Sequence, residues 1–273
     1  MMTQNFTFGI DTVDRALNGG LARGRLHEIY AGGVEDGGEN GVRDGAEGIA
    51  KDADQDNTAD AASACGFAAM LAIRACMAGD VIFWLRHERA ERLGGVLQAQ
   101  GLIALGLDPS RIIFVMAPDS DALLRASVDA VRCGGLGAVV VEGWGAMPRL
   151  DLTASRRLKL AAETSGVTLL LLRIDAVPVT SAAETRWSVK AAPSSALAAN
   201  APGRPAFDIA LLRRRAGPAG LTTRLEWNRD QLSFESPFGG TRSPAQPAQL
   251  PEALPRLMVS SSGDRQGAQR AAA

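Results

Sequence analysis

Four apolar runs of strand length constrain this chain more than any other feature. "DVIFWL" (80–85), "RIIFVMA" (111–117), "GAVVVEG" (137–143) and "VTLLLLRI" (167–174) are nearly continuous hydrophobic segments with no polar alternation. Such runs fit strands buried on both faces. Helix-length segments separate them. "SDALLRASVDAVRCGG" (120–135) puts Leu123, Leu124, Val128 and Val131 at helical spacing with Gly134 as a stop, and "LTASRRLKLAAETSG" (152–166) ends at Gly166. "ERLGGVLQAQGLIALGL" (91–107) reads as a further helix. Upstream, "RLHEIYA" (25–31) is a short strand. "TADAASACGFAAMLAIRACMAG" (58–79) is a helix apolar on nearly every side, expected to be buried and to end at Gly79. Strand–helix alternation of this kind predicts an α/β fold, with parallel strands joined by helical crossovers. After Ile174 the pattern changes. "TRWSVKA" (185–191), "FDIALLRRR" (207–215) and "LTTRLEWN" (221–228) follow without helices, the last two joined as a hairpin by "AGPAG" (216–220). The sheet is therefore expected to end in antiparallel strands.

Charge separates two segments from this body. Between Gly32 and Asp60 nine acids face only Arg43 and Lys51, a net of −7, which leaves +6 on the rest of a chain whose total is −1. The Gly/Asp-rich stretch 32–57 has too few apolar groups to offset ordering entropy, and disorder is expected there. A Pro/Ala/Gln-rich tail, 241–273, follows the domain expected over 1–240. In it "EALPRLMV" (252–259), with Leu254 and Leu257, reads as a linker remnant or a short docking peptide. No apolar run approaches a membrane span, and "MMTQNFTFGIDTVD" lacks the basic-then-apolar order of a secretion signal. Cys65, Cys76 and Cys133 form no CxxC pair, which fits buried thiols in a reducing cytoplasm.

The stretch "FGIDTVDRALNGGLARGRLHEIYAG" (8–32) resembles the lead-in to RecA-superfamily ATPase domains, through Gly9, Ile10, Val13, Asp14, Leu17, Gly19, Gly20, Leu21 and Gly24. More closely, that stretch and "LDLTASRRLKLAAETSGVTLLLLR" (150–173), "AAETRWSV" (182–189) and "RPAFDIALLRRRAGPAGLTTRLEW" (204–227) resemble the ImuA family of bacterial translesion-synthesis cassettes. The resemblance covers about residues 8 to 232. It implies a RecA-like core and a role in the DNA-damage (SOS) response. The partners it implies are an inactive, ImuB-like Y-family polymerase homologue, an error-prone replicative-type polymerase, and RecA, in the cytoplasm at the nucleoid. It favours protein contacts over strong DNA binding. No polymerisation segment is recognised before Phe8, so filaments are not expected.

A RecA-like ATPase needs GxxxxGK[ST] between its first core strand and the following helix: glycines to close on phosphates, a lysine to reach them, a hydroxyl for Mg²⁺. Nothing in this sequence fits that spacing. Lys51 sits in "GIAKD", Ser63 in "AASAC", and Asp54, Asp56 and Asp60 are expected to crowd the helix start and repel a triphosphate. The phosphate loop is thus degenerate, and neither cofactor, metal nor catalytic residues are expected. Glu142 ends "GAVVVE" where a Walker B acid would stand; without a phosphate loop it reads as a vestige meeting a loop or helix end. His87 and Glu88 follow "VIFWLR", with a salt bridge to Arg86, Arg89 or Arg92 expected, and His27 reads as a structural strand histidine. Basic residues remain as candidate partner or DNA contacts: Arg156 and Arg157 with Lys159 on a helix, Arg213, Arg214 and Arg215 at a hairpin tip, and Arg149, Arg173 and Arg186 near strand ends where RecA-like proteins carry DNA-binding loops. Trp187 and Trp227 are candidate interface anchors. The expected function is a non-catalytic adaptor. The alternatives left open are an ATP-dependent recombinase-like regulator and a single-stranded DNA binder.

Overall fold

A computed structural model describes residues 4–32, 52–196, 201 and 203–237, of which 52–57 are described in backbone only. The chain divides into Met1–Gly239 and Gly240–Ala273. The second unit, with Leu254 and Leu257, lies outside the described residues, as do residues 33–51 of the acidic stretch 32–57.

The apolar runs assemble into one nine-stranded sheet of order β11-β10-β9-β8-β3-β7-β6-β4-β5. Its centre is the expected parallel set of β3 (Leu26–Ala31), β4 (Val81–His87), β5 (Ile112–Ala117), β6 (Leu136–Trp144) and β7 (Thr168–Ile174), joined by β8 (Thr185–Ala191), which was expected with the antiparallel strands but pairs parallel to β3. β7 is buried at every position, as a run of four leucines requires. β9 (Ala206–Arg214), β10 (Thr222–Asn228) and β11 (Ser233–Glu235) then extend the sheet from β8, each antiparallel to the strand before it. This is the mostly parallel sheet with antiparallel C-terminal strands that the alternation predicted.

Two apolar cores cover its two faces. One joins α2 (Asp52–Ala75) to an aromatic cluster of Phe8, Phe67, Trp187, Trp227 and Phe234; Phe67 and Trp227 lie 5.4 and 5.0 Å from Phe234. The other packs α5 (Ser120–Arg132) and α6 (Leu152–Ser165) on Leu85, Val139, Val141, Leu169 and Leu171. Both helices open on an aspartate N-cap, Asp119 and Asp151, and α6 closes on Gly166 in the left-handed conformation.

Several boundaries differ from the sequence reading. α2 starts at Asp52, so residues 52–57, expected to be disordered, have helical backbone. It ends at Ala75; Gly79, at φ +91°, turns the chain afterwards instead of capping the helix. Asp60 therefore lies in the third turn of α2, where its carboxylate accepts the Ala191 backbone N–H at 2.7 Å. The helix expected over 91–107 is two short ones, α3 (Glu88–Gly94) and α4 (Ala99–Ala104), broken at Gly95 with φ +75°. At the N-terminus α1 (Asp11–Ala16) sits between the two-residue strands β1 (Asn5–Phe6) and β2 (Leu21–Ala22). Asp14 accepts the Phe8 and Gly9 N–H groups, and Gly20, at φ +102°, leaves only 2.2 Å between an added Cβ and the Phe6 carbonyl oxygen. Physical necessity thus fixes the glycines of "NGGLARG".

Candidate functional site

In an α/β sheet the carboxyl ends of the parallel strands are where sites form. Here ionisable groups stand at or near those ends, Glu28 and Tyr30 on β3, Arg86 and His87 on β4, Glu142 on β6 and Arg173 on β7, while Arg186, at the amino end of β8, is set beside Glu28 by the parallel register. All seven are buried.

Glu142 does not meet a loop or helix end, as the sequence reading had it. Parallel pairing sets it beside Arg86 of the neighbouring strand, whose Nη2 donates to Oε1 at 3.0 Å. Trp144 Nε1 donates to the same oxygen at 2.8 Å, and Trp84 Nε1 to Oε2 at 3.0 Å. Both oxygens are occupied and the side chain is 0% exposed. The nearby Cys65 thiol is pushed well above its ordinary pKa by burial first and by Glu142 second. His87 caps α3 by accepting the Arg89 N–H at 3.0 Å, and its pKa is lowered, mainly by burial and then by Arg89. The ion pair expected of His87 or Glu88 is instead made by Arg86 with Glu142.

A second cluster lies across the sheet. Arg186 Nε donates to Glu28 Oε2 at 2.8 Å, Nη2 reaches the Val179 carbonyl and Ser181 Oγ, and the guanidinium sits over the Tyr30 ring at 5.5 Å. Burial pushes the Tyr30 phenol up to about 12. Arg213 Nη2 donates to the Ser181 and Ala183 carbonyls at 2.8 and 3.2 Å. Together Arg186 and Arg213 tie the loop after β7 to the sheet. His27 is the structural strand histidine expected: Nδ1 meets Thr185 Oγ1 at 2.8 Å and Nε2 the Ala22 carbonyl at 2.9 Å.

The other candidate contacts divide sharply. Arg173 and Arg186 are buried and present no face to a nucleic acid. Trp187 and Trp227 belong to the core; their indoles donate to Thr185 Oγ1 and to the Leu105 carbonyl, so neither is an interface anchor. Arg213 and Arg214 lie in β9 and not at a hairpin tip. Arg214 donates to the Ala16 and Leu17 carbonyls at 2.7 and 2.8 Å, closing the end of α1. Arg156, Arg157 and Arg215 are exposed, as is Arg149, which pairs with Asp121 at 3.0 Å. Sequence reasoning missed Glu28 as the partner of Arg186, and gave Arg86 an ion pair with the wrong acid. The signal was there: Glu28 and Arg86 are each a lone charge inside an apolar strand, and a charge so placed must find its opposite.

Among the described residues no group of three or more His, Cys, Asp or Glu side chains could hold a metal, and no helix is long and apolar enough to cross a membrane.

These features define a RecA-like core in which a carboxylate near the end of β6 is sequestered in an internal ion pair. The RadB recombinase structure matches 85% of this chain and 99% of its own at a TM-score of 0.50 and 15% identity, a likeness of fold. No protein-family model matches. Protein ImuA of Caulobacter vibrioides, in strains NA1000 / CB15N and ATCC 19089 / CIP 103742 / CB 15, is 30% identical over 235 residues, covering 82% of this chain and 78% of the relative. The chain belongs to the ImuA family.

Proposed function

We propose that this protein is a non-catalytic adaptor in the DNA-damage response, which helps assemble an error-prone translesion-synthesis complex through protein contacts. Its partners in this reading are an ImuB-like Y-family polymerase homologue, an error-prone replicative-type polymerase, and RecA, met at the nucleoid. One observation carries the non-catalytic part: both oxygens of Glu142, at the Walker B position, are held by Arg86, Trp84 and Trp144. A magnesium ligand needs a carboxylate whose charge is available to the metal and turned towards a phosphate, whereas this one is spent on Arg86 and fixed by two indoles. Freeing this one would strand a buried guanidinium. The sequence also offers no GxxxxGK[ST]. Protein contact is supported at the sheet's far edge, where β5 exposes Ile113, Phe114 and Met116 and no further strand pairs it among the described residues.

Affinity capture of the tagged protein from cells given a DNA-damaging dose tests the reading. Recovery of a Y-family polymerase homologue or RecA is the expected result; a chain ending at Gly240 locates the tail's share. Tight, Mg²⁺-dependent ATP binding by the purified protein, with neither partner recovered, would overturn it in favour of a nucleotide-driven regulator.

A further inference from the structure

Three arginines are buried among the described residues: Arg86, Arg173 and Arg186. Two have a buried glutamate each, Glu142 for Arg86 and Glu28 for Arg186. The third has none among the described residues. Arg173 Nη2 donates to the Gly145 carbonyl at 2.9 Å, and Nε is buried without any partner. Burial lowers the pKa of Arg173 and outweighs the support that Tyr30 and then Glu28 give its charge. Arg173 is only 4% exposed, and a guanidinium so placed is costly to leave without a counter-ion.

Arg173 also lines a cavity of about 590 Å³, set between the loop that follows β6 and the loop that follows β7. That volume is in the range of small-ligand sites, ~300–1,000 Å³. The walls are chiefly apolar, with Met147, Leu150, Leu152, Val177 and Val179 among them. The loop bearing Val177 and Val179 is held in place by Arg186 and Arg213, so the cavity is bounded by fixed backbone on that side. Two acids belong to the lining, both exposed. Asp151 is engaged as the cap of α6, and Asp175 stands at φ +50°. Their charges disfavour a multiply charged anion such as phosphate.

We propose that this cavity is a binding site for a carboxylate carried on an apolar body, the carboxylate pairing with Arg173 and the body filling the wall of Met147, Leu152 and Val177. A monoanion supplies the counter-ion that Arg173 lacks, and the planar guanidinium fork matches a carboxylate. The same chemistry is found in a free small acid and in an acidic side chain flanked by apolar residues in a protein segment. The site stands independently of the adaptor reading.

Titration calorimetry of the full chain with phenylbutanoate and its uncharged amide tests the site, with the Arg173 Nε–Hε resonance followed by NMR. The acid is expected to bind and shift that resonance, and the amide to bind at least about tenfold more weakly. Val177→Glu, at an exposed wall position, is expected to abolish binding without changing the unfolding midpoint, which guards against Arg173 variants that fail to fold. Acetyl-Leu-Glu-Leu-amide against its Gln counterpart distinguishes the sources: tighter binding of this peptide than of phenylbutanoate assigns the carboxylate to a protein segment, and the reverse order to a free acid. Equal binding of acid and amide, no shift at Arg173, or no binding of any probe overturns the proposal.

Discussion

His27 should make this fold acid-sensitive, through a mechanism visible in its hydrogen bonds. The Ala22 carbonyl can only accept, so Nε2 carries the proton that it receives at 2.9 Å. Nδ1 is then an acceptor, and Thr185 donates to it at 2.8 Å. Thr185 Oγ1 in turn accepts from Trp187 Nε1 at 2.8 Å. The chain indole–hydroxyl–imidazole–carbonyl is complete with a neutral ring. A second proton on Nδ1 would point at the Thr185 hydroxyl and break the relay. Burial accordingly depresses His27 from 6.5 to about 4. A folded-state pKa below the unfolded one means the unfolded chain takes up the proton first. The stability is fully present above the unfolded value of 6.5 and lost as pH falls towards about 4. Linkage between those two values gives a loss of about 2 kcal/mol from about pH 7.5 to about pH 5, and about 3 kcal/mol once both states are protonated. Urea unfolding at those two pH values measures it. His27→Gln keeps a donor and an acceptor but does not titrate, so the wild type should lose about 2 kcal/mol more than the variant over the same interval. Identical pH dependence in the two proteins, or a His27 ring that titrates near 6.5 by NMR in the folded state, would refute the reasoning.

Other expectations follow from single contacts. Glu142→Gln should cost about 3–5 kcal/mol in urea unfolding by stranding Arg86, and the double change Arg86→Met with Glu142→Leu should recover much of that loss. If Glu142→Gln costs under about 1 kcal/mol, the buried pair is not what holds the strand ends. Gly20→Ala should unfold the N-terminal motif far more than Gly79→Ala, because an added Cβ meets the Phe6 carbonyl oxygen at 2.2 Å in one case and nothing within 4 Å in the other; thermal melts of both variants check the order. Charge reversal at the exposed Arg156 and Arg157 should flatten the salt dependence of any single-stranded DNA binding, whereas the same change at Arg214 should lower stability by removing its bonds to the Ala16 and Leu17 carbonyls.

How much of this was legible beforehand differs between fold and site. Strand-length apolar runs such as "VTLLLLRI" can satisfy themselves only between two covered faces, so the parallel centre could be read directly. The lead-in glycines could be read too, since backbone at positive φ is written in residue type. Boundaries set by loops could not: the 91–107 segment has helical composition throughout, yet Gly95 breaks it. α2 could not be given its start by composition, because the sequence of its first turns is acidic and polar and offers no apolar periodicity.

The arginines show the limit most clearly. On the page of letters Arg156, Arg173, Arg186 and Arg214 are equivalent positive charges, and all were candidates for meeting a partner. Folding made Arg156 a surface cation, Arg186 the counter-ion of Glu28, Arg214 a clasp on α1 and Arg173 a buried guanidinium in a cavity wall. The sequence by itself determined the alternation, and hence the layered α/β architecture and the absence of a phosphate-loop motif, because hydrophobic periodicity and loop chemistry are local. Only the tertiary structure decided which charges are spent internally and which remain available. That depends on strand order, and it is the parallel neighbours β4 and β6 that bring Arg86 to Glu142 across 56 residues of chain.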